Sequence, residues 1–210
     1  PLTDNLLAMR ALVSFTDNAG FIDSDALLSG PDEDINDDEV IAGRLSFLLT
    51  PMERLAVSLM LQKQQTESGD FQADNPSVSG ENYKASTFFL QPMEGDLSLA
   101  DLEVQHRFES VTIELTGNHY KYDLEQTTDA TSFYQFQGYT VGVDGGDNGF
   151  TEADVEVGQS NIEIRAITHF DSIANGIIGL STTENKVDFV SEDNLTDFPG
   201  SFRVVEYTYT

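Results

Sequence analysis

Side chains able to do chemistry are sparse in this chain, and most of them are carboxylates. Lys and Arg number 10 against 37 Asp and Glu, a formal net charge of -27. Two acidic segments have oxygens of the kind a hard cation favours. The run Asp32-Glu33-Asp34-Ile35-Asn36-Asp37-Asp38-Glu39 lacks a glycine at a turn position, and a solvated acidic loop is the plainer reading. The stretch Asp144-Gly145-Gly146-Asp147-Asn148-Gly149, with Glu152 and Asp154 close behind, is the better calcium candidate, with Asp144, Asp147 and Glu152 as ligands. Its glycines permit a tight turn around an ion, yet the EF-hand pattern is incomplete and an ordinary Gly/Asp turn accounts for it. His106, His119 and His169 fall in separate segments and give no converging ligand set. With no cysteine there is no disulfide, zinc-thiolate site or thiol nucleophile. No motif supports a catalytic serine or a carboxylate pair, so the expectation is a protein that is not an enzyme and needs no cofactor. Tyr134, Phe136 and Tyr139 are candidates for stacking on a bound ligand; packing within their own loop is the alternative.

The elements that would carry these residues alternate apolar and polar. In Val111-Thr112-Ile113-Glu114-Leu115-Thr116, the apolar residues point one way and the polar ones the other, the period-two signature of a strand. About eight such segments are predicted: Leu6 to Thr16, Val40 to Thr50, Leu55 to Gln65, Ser98 to Phe108, Ser110 to Asp123, Asn161 to Phe170, Ile177 to Phe189 and Phe202 to Thr210. Tight connectors, such as Thr50-Pro51-Met52-Glu53-Arg54 and Glu109-Ser110, alternate with long links of about Asp17 to Glu39, Thr66 to Leu97 and Leu124 to Ser160. Links that long are unusual inside a compact soluble domain. Short turns at one end and long loops at the other are the layout of an outer-membrane barrel.

The charges follow the same division. Arg10, Arg44, Glu103, Arg107, Glu114, Glu163 and Arg165 all lie in the polar set of their strands. A Lys or Arg on the lipid face near the midplane of a barrel costs about 2–4 kcal/mol. A soluble sheet also sends charge to its wet face. Glu163 and Arg165 share a face two residues apart and read as an ion pair. The acidic balance excludes nucleic acid as a partner, because phosphates demand Lys and Arg. No apolar run reaches the roughly 20 residues of a membrane helix, so any spanning structure must be a barrel. Beginning at Pro1 and ending at Thr210 within a strand-like run, residues 1–210 read as one domain fragment of a longer protein.

Several strings in order along the chain resemble the barrel of TonB-dependent outer-membrane receptors. Pro1-Leu2-Thr3-Asp4-Asn5-Leu6 with Met9-Arg10 and then Gly20-Phe21-Ile22-Asp23 is similar to the family's turn, strand and aromatic loop start. Asp34-Ile35-Asn36-Asp37 through Gly43-Arg44-Leu45-Ser46-Phe47-Leu48 resembles the next strand, and Thr50-Pro51-Met52-Glu53-Arg54-Leu55 its turn. Ile162-Glu163-Ile164-Arg165, His169-Phe170-Asp171 and Ile178-Gly179-Leu180 resemble a strand-turn-strand of that family. The resemblance implies an all-β fold, an antiparallel meander of about eight strands within a 22-stranded transmembrane β-barrel. It further implies the outer membrane as location, uptake of a scarce nutrient such as a ferric siderophore, cobalamin or carbohydrate, and outer-membrane lipid, a small-molecule nutrient and TonB as partners. TonB would be reached through a plug region, and neither that plug nor a TonB box is among these residues.

Two features depart from the family. There is no Trp, so Tyr120, Tyr122, Phe15, Phe47, Phe108 and Phe170 would have to form the interfacial girdles. An eight-stranded piece also leaves two edges unpaired unless it closes on itself. The alternative is a soluble, secreted β-sandwich, an adhesin or binding module that takes up calcium.

Overall fold

The computed structural model describes residues 6–25, 27, 32–74, 76–136, 149–170, 174–195 and 202–209. Ten strands and two short helices follow in the order β1 (Leu7–Asn18), β2 (Asp23–Ser24), β3 (Asp38–Met52), β4 (Leu55–Ser68), α1 (Pro76–Ser79), β5 (Lys84–Ala85), β6 (Met93–Arg107), β7 (Val111–Asp129), α2 (Thr131–Phe136), β8 (Gly149–Thr168), β9 (Ile177–Leu195) and β10 (Phe202–Tyr209). Eight of the strands form one sheet in the order β1-β3-β4-β6-β7-β8-β9-β10, with every neighbour antiparallel. The sheet is open, with β1 and β10 as its edges.

All eight expected strands are present, but several run well past their predicted ends on the long-loop side. β7 continues to Asp129 and β8 begins at Gly149, so the third link shrinks to residues 130–148. The two-residue strands β2 and β5 and both helices lie in links read as loop from sequence. At the other end the hairpins stay tight. A bulge between Leu49 and Met52 absorbs Pro51, which has no N–H for the ladder.

Residues in register form rows across the sheet. One row on the Leu7 face reads Leu7, Leu49, Val57, Val104, Leu115, Ile164, Leu180. Among the described residues nothing covers this face: Val13 is 83% exposed and Leu180 77%. The buried apolar residues among those described are instead Ile22, Ile35 and Ala85, in the first two long links, with Leu27 and Leu90 packed on them.

Backbone pairing and side-chain hydrogen bonds join these two links. β2 and β5 pair in parallel across them. Asn36, 1% exposed, accepts hydrogen bonds on Oδ1 from the Phe21 and Ile22 amides at 2.8 and 2.7 Å. Its Nδ2 donates to Gln72 Oε1 at 2.7 Å, tying the first link to the second. Gly20 is obligatory here, because a Cβ would collide with the Asp34 carbonyl. Removing the Asn36 acceptor strands a buried amide, which costs about 1–3 kcal/mol. Asn36→Ala is therefore expected to raise hydrogen exchange at Phe21 and Ile22 while leaving the β3–β4 ladder protected. Unchanged exchange at those two amides would show that the link does not depend on this side chain.

Candidate functional site

The candidate calcium and stacking residues divide as follows. Tyr139, Asp144 and Asp147 lie outside the described residues. Tyr134 and Phe136 are on α2, and of these two the backbone alone is described. Glu152 is on β8, in register with Thr127 and Glu192, and accepts a hydrogen bond from Asn194 Nδ2 at 3.0 Å. Among the described residues no group of three or more His, Asp or Glu could hold a metal ion. The histidines stay apart: the His106 ring meets Phe108 at 4.3 Å, His119 Nδ1 meets Ser160 Oγ at 2.9 Å, and His169 Nε2 meets Thr112 Oγ1 at 2.9 Å. The carboxylates of the acidic run from Asp32 are exposed or half-buried, as in a solvated loop, while Ile35 and Asn36 among them are buried.

The Glu163–Arg165 ion pair forms as expected, with Nε to Oε1 and Nη2 to Oε2 both at 2.7 Å. The Arg10 face around it is charged and hydrogen-bonded: Arg165 is opposite Glu114, Gln105 donates to Glu114 at 2.9 Å, and Arg44 bonds Gln62 at 2.6 and 2.9 Å. This lower region has an apolar Leu7 face and a polar Arg10 face, as the sequence pattern predicts.

Nearer the long links the two faces exchange character, which sequence reasoning missed. On the Leu7 face Lys63, Lys121 and Lys186 share one row, and the next holds Asp96, Asp123, Glu156 and Asp188. The row above is Asp17, Glu39, Glu67, Glu94, Glu125 and Asp154. Lys121 pairs with Asp123 at 2.9 Å and Glu156 at 3.2 Å, and Lys186 pairs with Glu156 and Asp188. At the same height the Arg10 face is uncharged: Ser14, Ala42, Gln64, Leu97, Tyr122, Val157 and Val187 form one row, and Thr16, Val40, Thr66, Gly95, Leu124, Val155 and Phe189 the next. Tyr122 lies over Gly95, where a Cβ would come within 2.9 Å of its hydroxyl. Tyr120 and Tyr122 are thus on the Arg10 face with Asn118 and Thr116, not on the apolar Leu7 face where a girdle would need them. Val155 and Val157 alternating with Asp154 and Glu156 was the available signal; it was lost because the apolar residues had changed face.

The upper edge of the apolar band is slanted. It ends at Phe15 and Ile41 on β1 and β3, at Leu61 and Ala100 on β4 and β6, at Ile162 on β8 and at Leu180 on β9. Leu180 shares the row of Leu7, so the edge drops eight residues over six strand-to-strand steps. At about 3.3 Å per residue and about 4.8 Å per strand, that slope is a tilt of roughly 40°.

Above this wall the three long links are tied into a rim. Asp70 accepts from the Phe71 amide at 2.6 Å, from the Gln91 amide at 3.2 Å and from Gln91 Nε2 at 3.3 Å. Gln91 Oε1 accepts from the Asp129 amide at 3.0 Å, and Asp129 in turn accepts from Phe88 and Thr131. Phe89 packs on Phe150 at 5.1 Å. Burial pushes the Asp70 carboxyl above its ordinary 3.8, outweighing its hydrogen bonds. A carboxyl raised on folding stabilises most below its unfolded value and loses that contribution as pH rises through the folded one. The opening free energy of the Phe71 and Gln91 amides, from hydrogen exchange corrected for intrinsic rate, is therefore expected to fall as pH rises above about 4. Asp70→Asn should flatten that profile; an unchanged profile would assign the pH dependence to another group.

No protein-family model matches the chain, and no curated protein does. Among solved structures it is similar to the ferric yersiniabactin uptake receptor FyuA from Yersinia pestis, with TM-score 0.74 and 14% sequence identity over 96% of this chain. The match spans 30% of the receptor's own chain. The fold is thus an all-β, antiparallel segment of barrel wall, like a stretch of that uptake receptor.

Proposed function

We propose that the chain is part of the wall of a transmembrane β-barrel in a TonB-dependent outer-membrane receptor that takes up a scarce nutrient. The slanted apolar edge carries this reading. A flat bilayer cuts tilted strands at successively different residues, and the slope of roughly 40° is that of barrel strands. A soluble sandwich would bury its apolar face under a second sheet, whereas among the described residues the Leu7 face has no cover. On this reading the Leu7 face meets lipid, the Arg10 face lines the lumen, and the tight hairpins face the periplasm. Phe15 then sits at the outer interface, and Phe108 and Phe170 at the inner one.

The fold match supports a receptor, and the FyuA name supports a ferric siderophore as one class of cargo. Cobalamin and carbohydrates belong to the same reading. TonB would act through a plug outside these residues, and this wall would supply position and selectivity rather than chemistry.

Arginine scanning of the intact protein, refolded into lipid vesicles, tests the assignment of faces. Leu59→Arg, in the middle of the apolar band, is expected to cost about 2–4 kcal/mol. Asn118→Arg, on the opposite face, should cost much less. Equal tolerance of the two would overturn the membrane-wall reading.

A further inference from the structure

The exchange of faces above the bilayer has a chemical meaning for the cargo. From β6 to β9, four successive rows of the Arg10 face carry no charge, from Leu99, Tyr120, Gln159 and Asn185 up to Met93, Gln126, Ala153 and Ser191. The three rows interleaved with them on the Leu7 face carry nine charged residues out of twelve. The chain therefore places charge freely at this height, but on one side only. Lower down, the lumenal face again carries Asp101, Glu103, Glu114, Glu163 and Arg165. The uncharged strip is not lipid contact, because it lies on the face opposite the apolar band. Its side chains are half-buried and keep open surface. Tyr122 lies over Gly95 within it, and the Asp70–Gln91–Asp129 rim stands beyond its upper row.

We propose that this strip, centred on Leu97, Tyr122, Val157, Val187 and Phe189, is a contact surface for a nutrient whose exterior is electrically neutral and partly aromatic or aliphatic. An anionic cargo would have to give up hydration against side chains of β6 to β9 that offer no cation. A neutral, apolar cargo avoids that cost. The inference rests on the receptor reading, and it narrows the cargo within that reading.

The test uses single cysteines in the intact protein in whole cells, in a background freed of any other cysteine. Val157→Cys and Val187→Cys probe the strip, Gln62→Cys a position on the same face beside the Arg44 guanidinium, and Leu59→Cys the apolar band. Each is reacted with a neutral aromatic maleimide and with a disulfonated maleimide of similar size. Rates are taken as a ratio, normalised to 2-mercaptoethanol, which cancels differences in thiol ionisation. The neutral-to-anionic ratio at positions 157 and 187 is expected to exceed that at 62, where Arg44 attracts the anionic reagent, by about tenfold, the low end of electrostatic focusing. Equal ratios would overturn the proposal by showing no selection. Silence toward both reagents at both strip positions would overturn it by showing that polypeptide covers the surface. Fast labelling of Leu59→Cys by the disulfonated reagent would instead sink the membrane-wall reading, whatever the strip does.

Discussion

The antiparallel register is the constraint on which the rest of this molecule depends. Seven pairings join eight strands in one sheet, from β1 to β10. Because side chains alternate every residue, a slip of one position in any pairing would turn that strand's apolar set to the opposite face. Here the penalty for a slip is doubled. In the lower sheet it would bring Arg10, Asp101 or Glu163 onto the apolar face; in the upper sheet it would bring Lys121, Asp123 or Glu156 onto the uncharged strip. The ladder thus holds two opposite polarity patterns in place with one set of backbone hydrogen bonds.

That arrangement explains why the best-packed part of the chain lies in its loops. Among the described residues the wall strands have neighbours at their edges and little above either face, so most of their side chains stay half-buried or exposed. Ordering the long links takes a different device, because among the described residues of 19–37 and 69–92 the only ladder is the two-residue pairing of β2 with β5. Asn36, Asp70 and Gln91 supply it by satisfying backbone amides that strands would otherwise satisfy. Each such bond is modest, but leaving its buried donor unpaired is costly. The small cluster of Ile22, Ile35 and Ala85 then needs little area to keep the links together.

The carboxylates have a structural cost that the lysines only partly offset. Like charges directly opposite on neighbouring strands repel, and the row from Asp17 to Asp154 places six of them in sequence. Lys121 and Lys186 bridge the row below, where both share Glu156. These pairs are exposed, and exposed ion pairs contribute little individually. Their consequence is polarity: they make this end of the Leu7 face hydrophilic beyond the apolar band.

Much of the fold was legible because strands announce themselves locally. The alternation in Val111 to Thr116, the tight turns and the segregated arginines follow from the period of two and need no knowledge of neighbours. The Glu163–Arg165 pair was legible for the same reason, since residues two apart share a face. What the tertiary structure decided is every property shared between strands. The exchange of faces shows only when Val157 is seen beside Tyr122 and Val187, and the slant of the apolar edge only when Phe15 and Leu180 are placed on one lattice. Asn36 and Gln91 looked like any polar loop residues until burial made their amide partners depend on them. Alternation is set within one strand; register, tilt and burial are set between strands, by residues tens of positions apart.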